Sequence, residues 1–201
     1  MNRTDRAPVV TGLLLAAGGG RRLGGHPKAL LEHRGRPLVE RAVRVLRAGG
    51  CDRVHVVLGA SADEVRERAD LTGCAVTVNP GWTEGMGSSL RAGLGALTAT
   101  DADAALVFLV DQPGIGPEAV ARVRTACGSR GALVAASYGR ERGHPVLIGA
   151  DRWADVVAEA VGDRGARSYL RAHRDAITLV ECADVAEAYD IDAPEDLEHL
   201  A

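Results

Sequence analysis

The chain lacks the features that mark secreted, membrane-spanning and general nucleic-acid-binding proteins. Its four cysteines stand far apart and form no C-x-x-C pair, which favours reduced, buried thiols. The first eight residues contain no apolar signal segment, and no apolar run approaches the ~20 residues that a membrane helix needs. A formal net charge of -3 argues against a nucleic-acid or acidic-membrane partner. We therefore expect a soluble, cytoplasmic protein.

Aromatic residues are also scarce, at 3%, whereas glycine is abundant, with 25 residues in a chain of 201. A chain of this length buries roughly 70% of its unfolded surface and can fold as one domain. Abundant glycine outside a repeat predicts tight loops in which the backbone closely approaches another group. No linker or low-complexity segment interrupts the sequence, so we expect a single domain over residues 1–201.

Short apolar strands alternate with helical patterns in the first part of the sequence. The strands are predicted at 9–16, 54–58, 74–78 and 104–110, and helices follow each of them. Ser61 with Glu64 three residues later predicts a capping box at one helix start, and Pro117 opens another helix. This alternation predicts an α/β fold, a Rossmann-like three-layer domain with a mostly parallel sheet and helices on both faces.

The second part departs from strict alternation. Apolar segments at 132–136 and 145–148 flank a polar stretch at 137–144, which predicts an antiparallel pair of strands. Helical patterns cover 152–160 and 167–172, a strand is predicted at 177–180, and Pro194 begins a short final helix. In open sheets of this kind, ligands bind beyond the carboxyl ends of the strands. The residues that follow each strand are therefore the candidate site residues.

A glycine-rich loop follows the first strand, in the segment LAAGGGRRLGGHPK at residues 15–28. Glycines let backbone N–H groups converge on phosphate oxygens, and Arg22 and Lys28 add positive charge. This composition favours a phosphate-binding loop over the alternative, a flexible surface loop with solvated basic residues.

Two familiar phosphate loops do not fit this segment. It contains no G-x-x-x-x-G-K-[ST], so it is not a P-loop. Gly18, Gly20 and Gly24 form the G-x-G-x-x-x-G variant of some dinucleotide-binding oxidoreductases. A dinucleotide fold needs a helix that starts inside the glycine turn, whereas the periodic helix begins only near Pro37.

The segment at 79–90 joins the third strand to a helix and contains four further nucleotide-binding candidates, Asn79, Gly85, Ser88 and Ser89. Serines at a helix start offer hydroxyl and backbone donors where the helix dipole favours an anion. The alternative is simple N-capping, which can coexist with a ligand contact. Trp82 in the same loop either packs or covers a flat ring.

An aspartate follows the most apolar strand, in the tripeptide Asp111-Gln112-Pro113. A carboxylate at the carboxyl end of a buried strand lies where a hard cation is held against phosphates. We favour a metal ligand over the alternative, a turn-forming aspartate before proline. Gln112 next to it is a candidate for substrate binding.

The remaining candidates lie in the second half of the sequence. His144, Asp163 and Arg167 are substrate-binding candidates, because a carboxylate can accept two hydrogen bonds from a guanidine-like ring edge and arginine can bind a phosphate. Asp163 has a helix cap as its alternative role. Asp192 and Glu195 favour a cap and its partner at the start of the last helix.

Six segments occur in order along the chain: LAAGGGRRLGGHPK, NPGWTEGMGSSL, DQP, GHPVLI, GDRGAR and DIDAPEDL. Together they resemble the molybdenum cofactor cytidylyltransferase branch of the nucleotidyltransferase superfamily, over nearly the whole chain. The first segment marks only the superfamily, whereas GMGSSL, GHPVLI and GDRGAR are narrower. Leu23, where methionine is commoner, is a mild departure.

This resemblance implies a seven-stranded mixed sheet and the transfer of CMP from CTP to the phosphate of molybdopterin, with release of pyrophosphate. The triphosphate would lie on the glycine-rich loop, with Arg22 and Lys28 as catalytic cations, and Mg²⁺ would be held by Asp111 and Asp192. A molybdoenzyme or its maturation chaperone is the implied protein partner. The loop residues assigned to the nucleotide are Leu15, Ala16, Ala17, Gly18, Gly19 and Gly20.

Three alternatives stay open. Ala16-Ala17, in place of the Ala-Gly-Gly of the guanylyl branch, favours a pyrimidine base, but GTP or another nucleoside triphosphate is a possible donor. The same domain also occurs in oxidoreductases of nicotine-derived pigments, so an NAD(P)H-dependent reaction is the main rival. A non-catalytic chaperone that binds molybdopterin is the other, and it predicts no release of pyrophosphate from CTP.

Overall fold

The computed structural model describes residues 6–51 and 53–200. The fully buried strand Ala104–Leu109 lies in the middle of its main sheet. The apolar run of this strand suits a position covered on both faces. In chain order the strands are β1 (Val10–Ala16), β2 (Glu32–His33), β3 (Arg36–Pro37), β4 (Arg53–Leu58), β5 (Ala75–Val78), β6 (Ala104–Leu109), β7 (Leu133–Tyr138), β8 (Glu141–Gly149) and β9 (Thr178–Glu181).

Seven of these strands form one sheet, in the order β5-β4-β1-β6-β8-β7-β9. All neighbouring pairs are parallel except the two that involve β8, which is antiparallel to β6 and to β7. β2 and β3 form a separate small hairpin. The expectation of a single α/β domain with a mixed, mostly parallel seven-stranded sheet is confirmed.

Six α-helices cover the two faces of this sheet in the described part of the chain. They are α1 (Leu38–Ala48), α2 (Ala62–Arg68), α3 (Met86–Leu97), α4 (Pro117–Thr125), α5 (Trp153–Glu159) and α6 (Arg167–Ala172). Successive residues of β1 point to opposite faces, so Leu14 packs with α1, α2 and α4, and Leu13 packs with α3, α5 and α6. None of the described helices is long and apolar enough to cross a membrane.

One local prediction was confirmed and one was wrong. The expected antiparallel pair is present, since β7 and β8 run antiparallel through most of the polar stretch 137–144 and turn tightly at Gly139, whose φ is 70°. Ser61 does not form the expected capping box: it has a left-handed φ of 50° and its side chain caps nothing, whereas a capping residue needs extended backbone. The last helix, over Pro194–Leu200, is a 3₁₀ helix.

The order of the strands creates a crevice between β1 and β6. From β1 the chain moves to β4 and β5 on one side and then returns to β6 on the other side of β1. Ligands in doubly wound sheets bind at such a switch point, at the carboxyl ends of the strands. The glycine-rich loop leaves β1 there and Asp111 leaves β6 there, since Leu15 pairs with Leu109.

Candidate active site

A cavity of about 270 Å³ lies in this crevice. It brings together most of the predicted nucleotide and metal residues, together with Asp163, which was predicted for the substrate. The predicted residues that line it are Leu15, Ala17, Gly18, Gly19, Gly20, Lys28, Gly85, Ser89, Asp111, Asp163 and Asp192. We refer to it below as the nucleotide cavity.

The backbone of the glycine-rich loop folds into a tight turn. Gly20 and Gly24 both adopt left-handed conformations, with φ of 56° and 74°, and a 3₁₀ turn over Arg21–Leu23 lies between them. A β-carbon at Gly20 would overlap the carbonyl oxygen of His26. Within the described residues, the N–H groups of Gly18, Gly19 and Gly20 donate no hydrogen bond to protein. These donors are therefore available to an anion in the cavity.

The Gly20→Ala substitution is expected to lower nucleotide affinity by about 10-fold or more, because it combines a left-handed φ with an overlap on the His26 backbone. Isothermal titration of the nucleotide measures this effect. Gly25→Ala is the matched control, since Gly25 is also left-handed, at φ of 82°, but a β-carbon there meets nothing nearby. An equal loss in both variants would show that backbone strain alone, and not the shape of the turn at Gly20, lowers affinity.

The structure distinguishes the two neighbouring arginines of the loop. Arg21 lines the nucleotide cavity, whereas Arg22, the predicted catalytic cation, is exposed and lies outside its lining. The 3₁₀ turn determines this difference, since it begins at Arg21 immediately after Gly20. The role of Arg22 therefore stays a prediction, and Arg21 is a residue that the sequence pattern did not single out.

Lys28 connects the loop to both predicted metal-binding carboxylates. Its Nζ donates to Asp111 Oδ2 at 2.7 Å and also to Asp192 Oδ1. Only 13% of the Lys28 side chain and 20% of the Asp111 side chain are exposed, whereas 51% of Asp192 is exposed. Lys28 is the only lysine of the chain, although the sequence contains 24 lysines and arginines. A compact ammonium can lie between two carboxylates where a planar guanidinium cannot.

Burial and charge act together on this cluster. Burial disfavours the charged form of Lys28, but the carboxylates of Asp111 and Asp192 outweigh it and raise the pKa of Lys28. Burial also raises the pKa of Asp111, with a contribution from Asp190 and against the opposing effect of Lys28. The ammonium therefore stays charged, and a second cation near Asp111 would relieve the cost of burying its carboxylate.

The C-terminal segment reaches this cluster through the backbone. The N–H of Ile191, which is fully buried, donates to the carbonyl oxygen of Asp111 at 2.9 Å. Asp196 Oδ2 accepts from the N–H groups of Asp192 and Ala193, both at 2.8 Å. Asp196, and not Asp192, thus caps the final turn, and the Asp192 carboxylate is left to face Lys28. The Asp192 side chain accepts no capping hydrogen bond in the described structure, and its role as a metal ligand stays a prediction.

Asn79 lies beneath the cavity rather than in its lining. Its Nδ2 donates to the hydroxyls of Ser88 and Ser89, at 2.9 and 3.1 Å, and its Oδ1 accepts from the N–H of Gly81 at 3.0 Å. Asn79 and Ser88 are buried, and only Ser89 of this group lines the cavity. Ala16, at the end of β1, is also buried outside the lining. Asn79 and Ser88 therefore hold the start of α3 in place.

Trp82 and Asp163 both line the nucleotide cavity. The Trp82 ring packs against Gly19, at a distance where a β-carbon would touch it, and also lines the cavity. Asp163 approaches Gly85, whose φ of 107° and tight surroundings exclude a side chain there. An aromatic ring and a carboxylate at the rim of a phosphate site are the groups that a heterocyclic base can stack on and donate to.

A second cavity of about 310 Å³, which shares no lining residue with the first, contains the other predicted substrate residues, Gln112, His144 and Arg167. Gln112 is buried and its Nε2 donates to Asp190 Oδ1 at 2.7 Å. Burial, followed by the charges of Arg167 and Arg142, lowers the pKa of His144 to about 4. His144 is therefore neutral at physiological pH. We call this second cavity the acceptor cavity.

The donor set at the cluster fits a metal that shares its coordination with a nucleotide. Among the described residues there is no group of three or more His, Cys, Asp and Glu side chains that could hold a metal alone. Mg²⁺ is commonly bound by one or two carboxylates together with substrate phosphates. Asp111 and Asp192, which both pair with Lys28 next to the glycine-rich loop, could supply those two carboxylates.

The fold and the family model together identify the protein as a nucleotidyltransferase. Residues 12–177 match the MobA-like NTP transferase domain, and the chain belongs to that family. The predicted superfamily is thereby confirmed, whereas the cytidylyltransferase branch stays a prediction.

The chain is similar to proteins of different activities within this family. It is 42% identical to a nicotine blue oxidoreductase of Paenarthrobacter nicotinovorans, over the whole of both chains. It is 34% identical to a probable molybdenum cofactor guanylyltransferase of Opitutus terrae, over 67% of this chain and 64% of the relative.

Solved structures show the same fold. A homolog of Rv0371c from Mycobacterium sp. strain JC1 is 31% identical, with a TM-score of 0.81 over 95% of this chain and 94% of the other. Rv0371c of Mycobacterium tuberculosis in complex with manganese is 26% identical, with a TM-score of 0.77 over 95% and 97%.

Proposed function

We propose that the protein transfers CMP from CTP to the phosphate of a molybdopterin-type acceptor in a reaction that depends on a divalent metal, with Mg²⁺ as the working ion. The observation that carries this proposal is the position of Lys28 between Asp111 and Asp192 beside the glycine-rich loop. An acceptor phosphate oxygen forms a bond to the α-phosphorus of CTP, and the bond from that phosphorus to the bridging oxygen breaks. Pyrophosphate is the leaving group.

The nucleotide cavity suits a triphosphate in charge and in hydrogen bonding. The N–H groups of residues 18–20 can donate to the negative oxygens of a bound phosphate. Lys28 and Arg21 supply positive charge in a chain that is acidic overall. Asp111 and Asp192 would hold the divalent ion, which when bound withdraws charge from phosphate oxygens. Ala16-Ala17 at the end of β1 supports a pyrimidine base.

The acceptor cavity suits a nucleophile that needs no general base. A phosphate monoester is largely dianionic at pH 7, because its second pKa is near 6. Burial lowers the pKa of His144 to about 4, which makes its imidazole a weak base, and its carbonyl oxygen accepts from the Tyr138 hydroxyl at 2.6 Å, so we assign these residues to positioning the acceptor. A narrow apolar space lined by Leu15, Met86 and His144 lies between the two cavities. Alignment and charge stabilisation then account for catalysis.

A second candidate is NAD(P)H-dependent reduction of a planar heteroaromatic compound. The observation that favours it is the 42% identity, over the whole chain, to a nicotine blue oxidoreductase. Against it, α1 begins only at Leu38, after a hairpin that follows the glycine-rich loop, so the dinucleotide geometry is absent from the described part of the chain.

A thermal-shift titration with ATP, GTP, CTP, UTP and NADPH, each with and without Mg²⁺, tests the proposal. CTP with Mg²⁺ is expected to raise Tm by roughly 5–10 °C at ~100 times its Kd, and to do so less without the metal. Pyrophosphate release from CTP in the presence of molybdopterin is the matching activity assay. A shift with NADPH alone, together with oxidation of NADPH by a heteroaromatic substrate, would establish the second candidate instead.

A further inference from the structure

A third cavity, of about 510 Å³, is lined almost entirely by arginines: Arg142, Arg164, Arg167, Ser168, Arg171 and Arg174. We call these five arginines the arginine pocket. They come from different elements, since Arg142 lies on β8, Arg164 on the turn before α6, and the others on or just after α6. Arg167 and Arg171 are one helical turn apart and therefore share a face.

These arginines have few partners among the described residues. Arg174 is 3.7 Å from Asp175 in an exposed pair, and Arg142 donates to the carbonyl oxygen of Leu170 at 3.4 Å. Arg164, Arg167 and Arg171 make no ion pair in the described part of the chain. Some arginines elsewhere on the surface are paired, as in Arg122 with Asp184 and Arg130 with Asp103.

Such a concentration of like charge is unfavourable unless an anion compensates it. Like charges at i, i+4 on a helix destabilise it, and five guanidinium groups around one cavity repel one another. The chain has a net charge of -3, so this positive group is a local feature. Its field extends inward, because Arg167 and Arg142 contribute to the lowered pKa of His144. The local charge therefore favours an anionic ligand, since guanidinium groups bind oxyanions in a bidentate manner.

The arginine pocket is continuous with the acceptor cavity. Arg142 and Arg167 line both of them. Lys28 lines the nucleotide cavity and neither of these two, and the arginine pocket shares no lining residue with the nucleotide cavity. A phosphate that attacks CTP beside Lys28 would therefore leave the arginines to another part of the bound molecule.

We propose that the arginine pocket binds a second oxyanion group of the acceptor, distinct from the phosphate that receives the nucleotide. This inference rests on the proposed function for the identity of the molecule, but the anion site itself does not. It makes the pocket a determinant of acceptor specificity: an acceptor with only the attacking phosphate binds more weakly than one that also carries the second charged group.

The double substitution Arg171→Gln with Arg174→Gln tests this proposal in the full chain. Both side chains are exposed, and neither lines the nucleotide cavity. The KM for molybdenum-loaded molybdopterin, whose oxomolybdenum group is its second oxyanion, is expected to rise about 10-fold or more, the effect of losing charge-assisted hydrogen bonds, while the KM for CTP and kcat change less than about 2-fold. The matched control, Arg44→Gln with Arg66→Gln, removes the same charge from exposed positions of α1 and α2.

Titration with inorganic phosphate separates this site from the proposed reaction. If no transfer is detected, weaker phosphate binding in Arg171→Gln/Arg174→Gln, but not in the control pair, still supports the anion site. An unchanged KM for the acceptor overturns the proposal. If phosphate binding falls while that KM is unchanged, the pocket takes free phosphate rather than the acceptor, which also overturns it. Equal changes in the control pair would show that the effect comes from the net charge of the protein and not from the arginine pocket, which would also overturn the proposal.

Discussion

The Asp111→Asn substitution is expected to abolish metal-dependent nucleotidyl transfer, with a fall in kcat of about 10³-fold or more. The amide keeps the shape of the carboxylate but removes the charge that would bind the divalent ion, and such an ion supplies several kcal/mol of charge stabilisation. The effect is largest at this position because Asp111 is the less exposed of the two carboxylates that pair with Lys28. Steady-state release of pyrophosphate at increasing Mg²⁺ measures it.

Two variants separate a metal role from a structural one. Asp155→Asn removes an exposed carboxylate from α5 and should leave activity unchanged. Asp192→Asn should weaken the dependence on Mg²⁺ without eliminating turnover, since Asp192 is half exposed. Asp111→Asn should also keep a Tm within a few degrees of the wild type, because burial already disfavours the charged carboxyl. Persisting activity in a folded Asp111→Asn protein would show that the metal site is misplaced.

The sheet and the glycine-rich loop were predictable because their signals are local. A continuous apolar run at 104–110 predicts a strand covered on both faces, and β6 is fully buried there. The late start of the first long helix was visible in the sequence, and it predicted the absence of a dinucleotide turn. The position of Asp111 after a buried strand likewise placed it at the sheet edge where β1 ends.

The details that were not predictable depend on contacts distant in sequence or on single backbone angles. The choice between Arg21 and Arg22 follows from the left-handed φ of Gly20, which no composition rule specifies. The role of Asp192 depends on Asp196 as the capping residue and on a hydrogen bond from Ile191 to Asp111. The arginine pocket joins a strand residue, Arg142, with residues of α6, and only the tertiary fold brings them together.

Substitution of Lys28, the only lysine of the chain, tests the positive charge of the same cluster. Lys28→Ala is expected to lower kcat by about 10²–10³-fold, the effect of removing one group that stabilises developing charge. Its ammonium lies beside the loop that would hold the triphosphate, and it is the only side chain that contacts both Asp111 and Asp192 in the described part of the chain. Single-turnover kinetics with saturating CTP separates this effect from weaker binding.

The Lys28→Ala variant is also expected to bind metal more tightly, although its turnover falls. Without the ammonium, Asp111 and Asp192 lose the positive charge that neutralises them, so Mn²⁺ should bind the nucleotide-free Lys28→Ala protein more tightly than the wild type. Lys28→Arg is the control, because it keeps the positive charge but replaces a compact ammonium with a planar group. If Lys28 acts by charge alone, Lys28→Arg recovers turnover. If the fit of a compact ammonium between the two carboxylates matters, turnover of Lys28→Arg stays slow, and its Mn²⁺ binding without nucleotide stays as weak as in the wild type. We expect this second result. Wild-type turnover in Lys28→Ala would remove the lysine from the reaction.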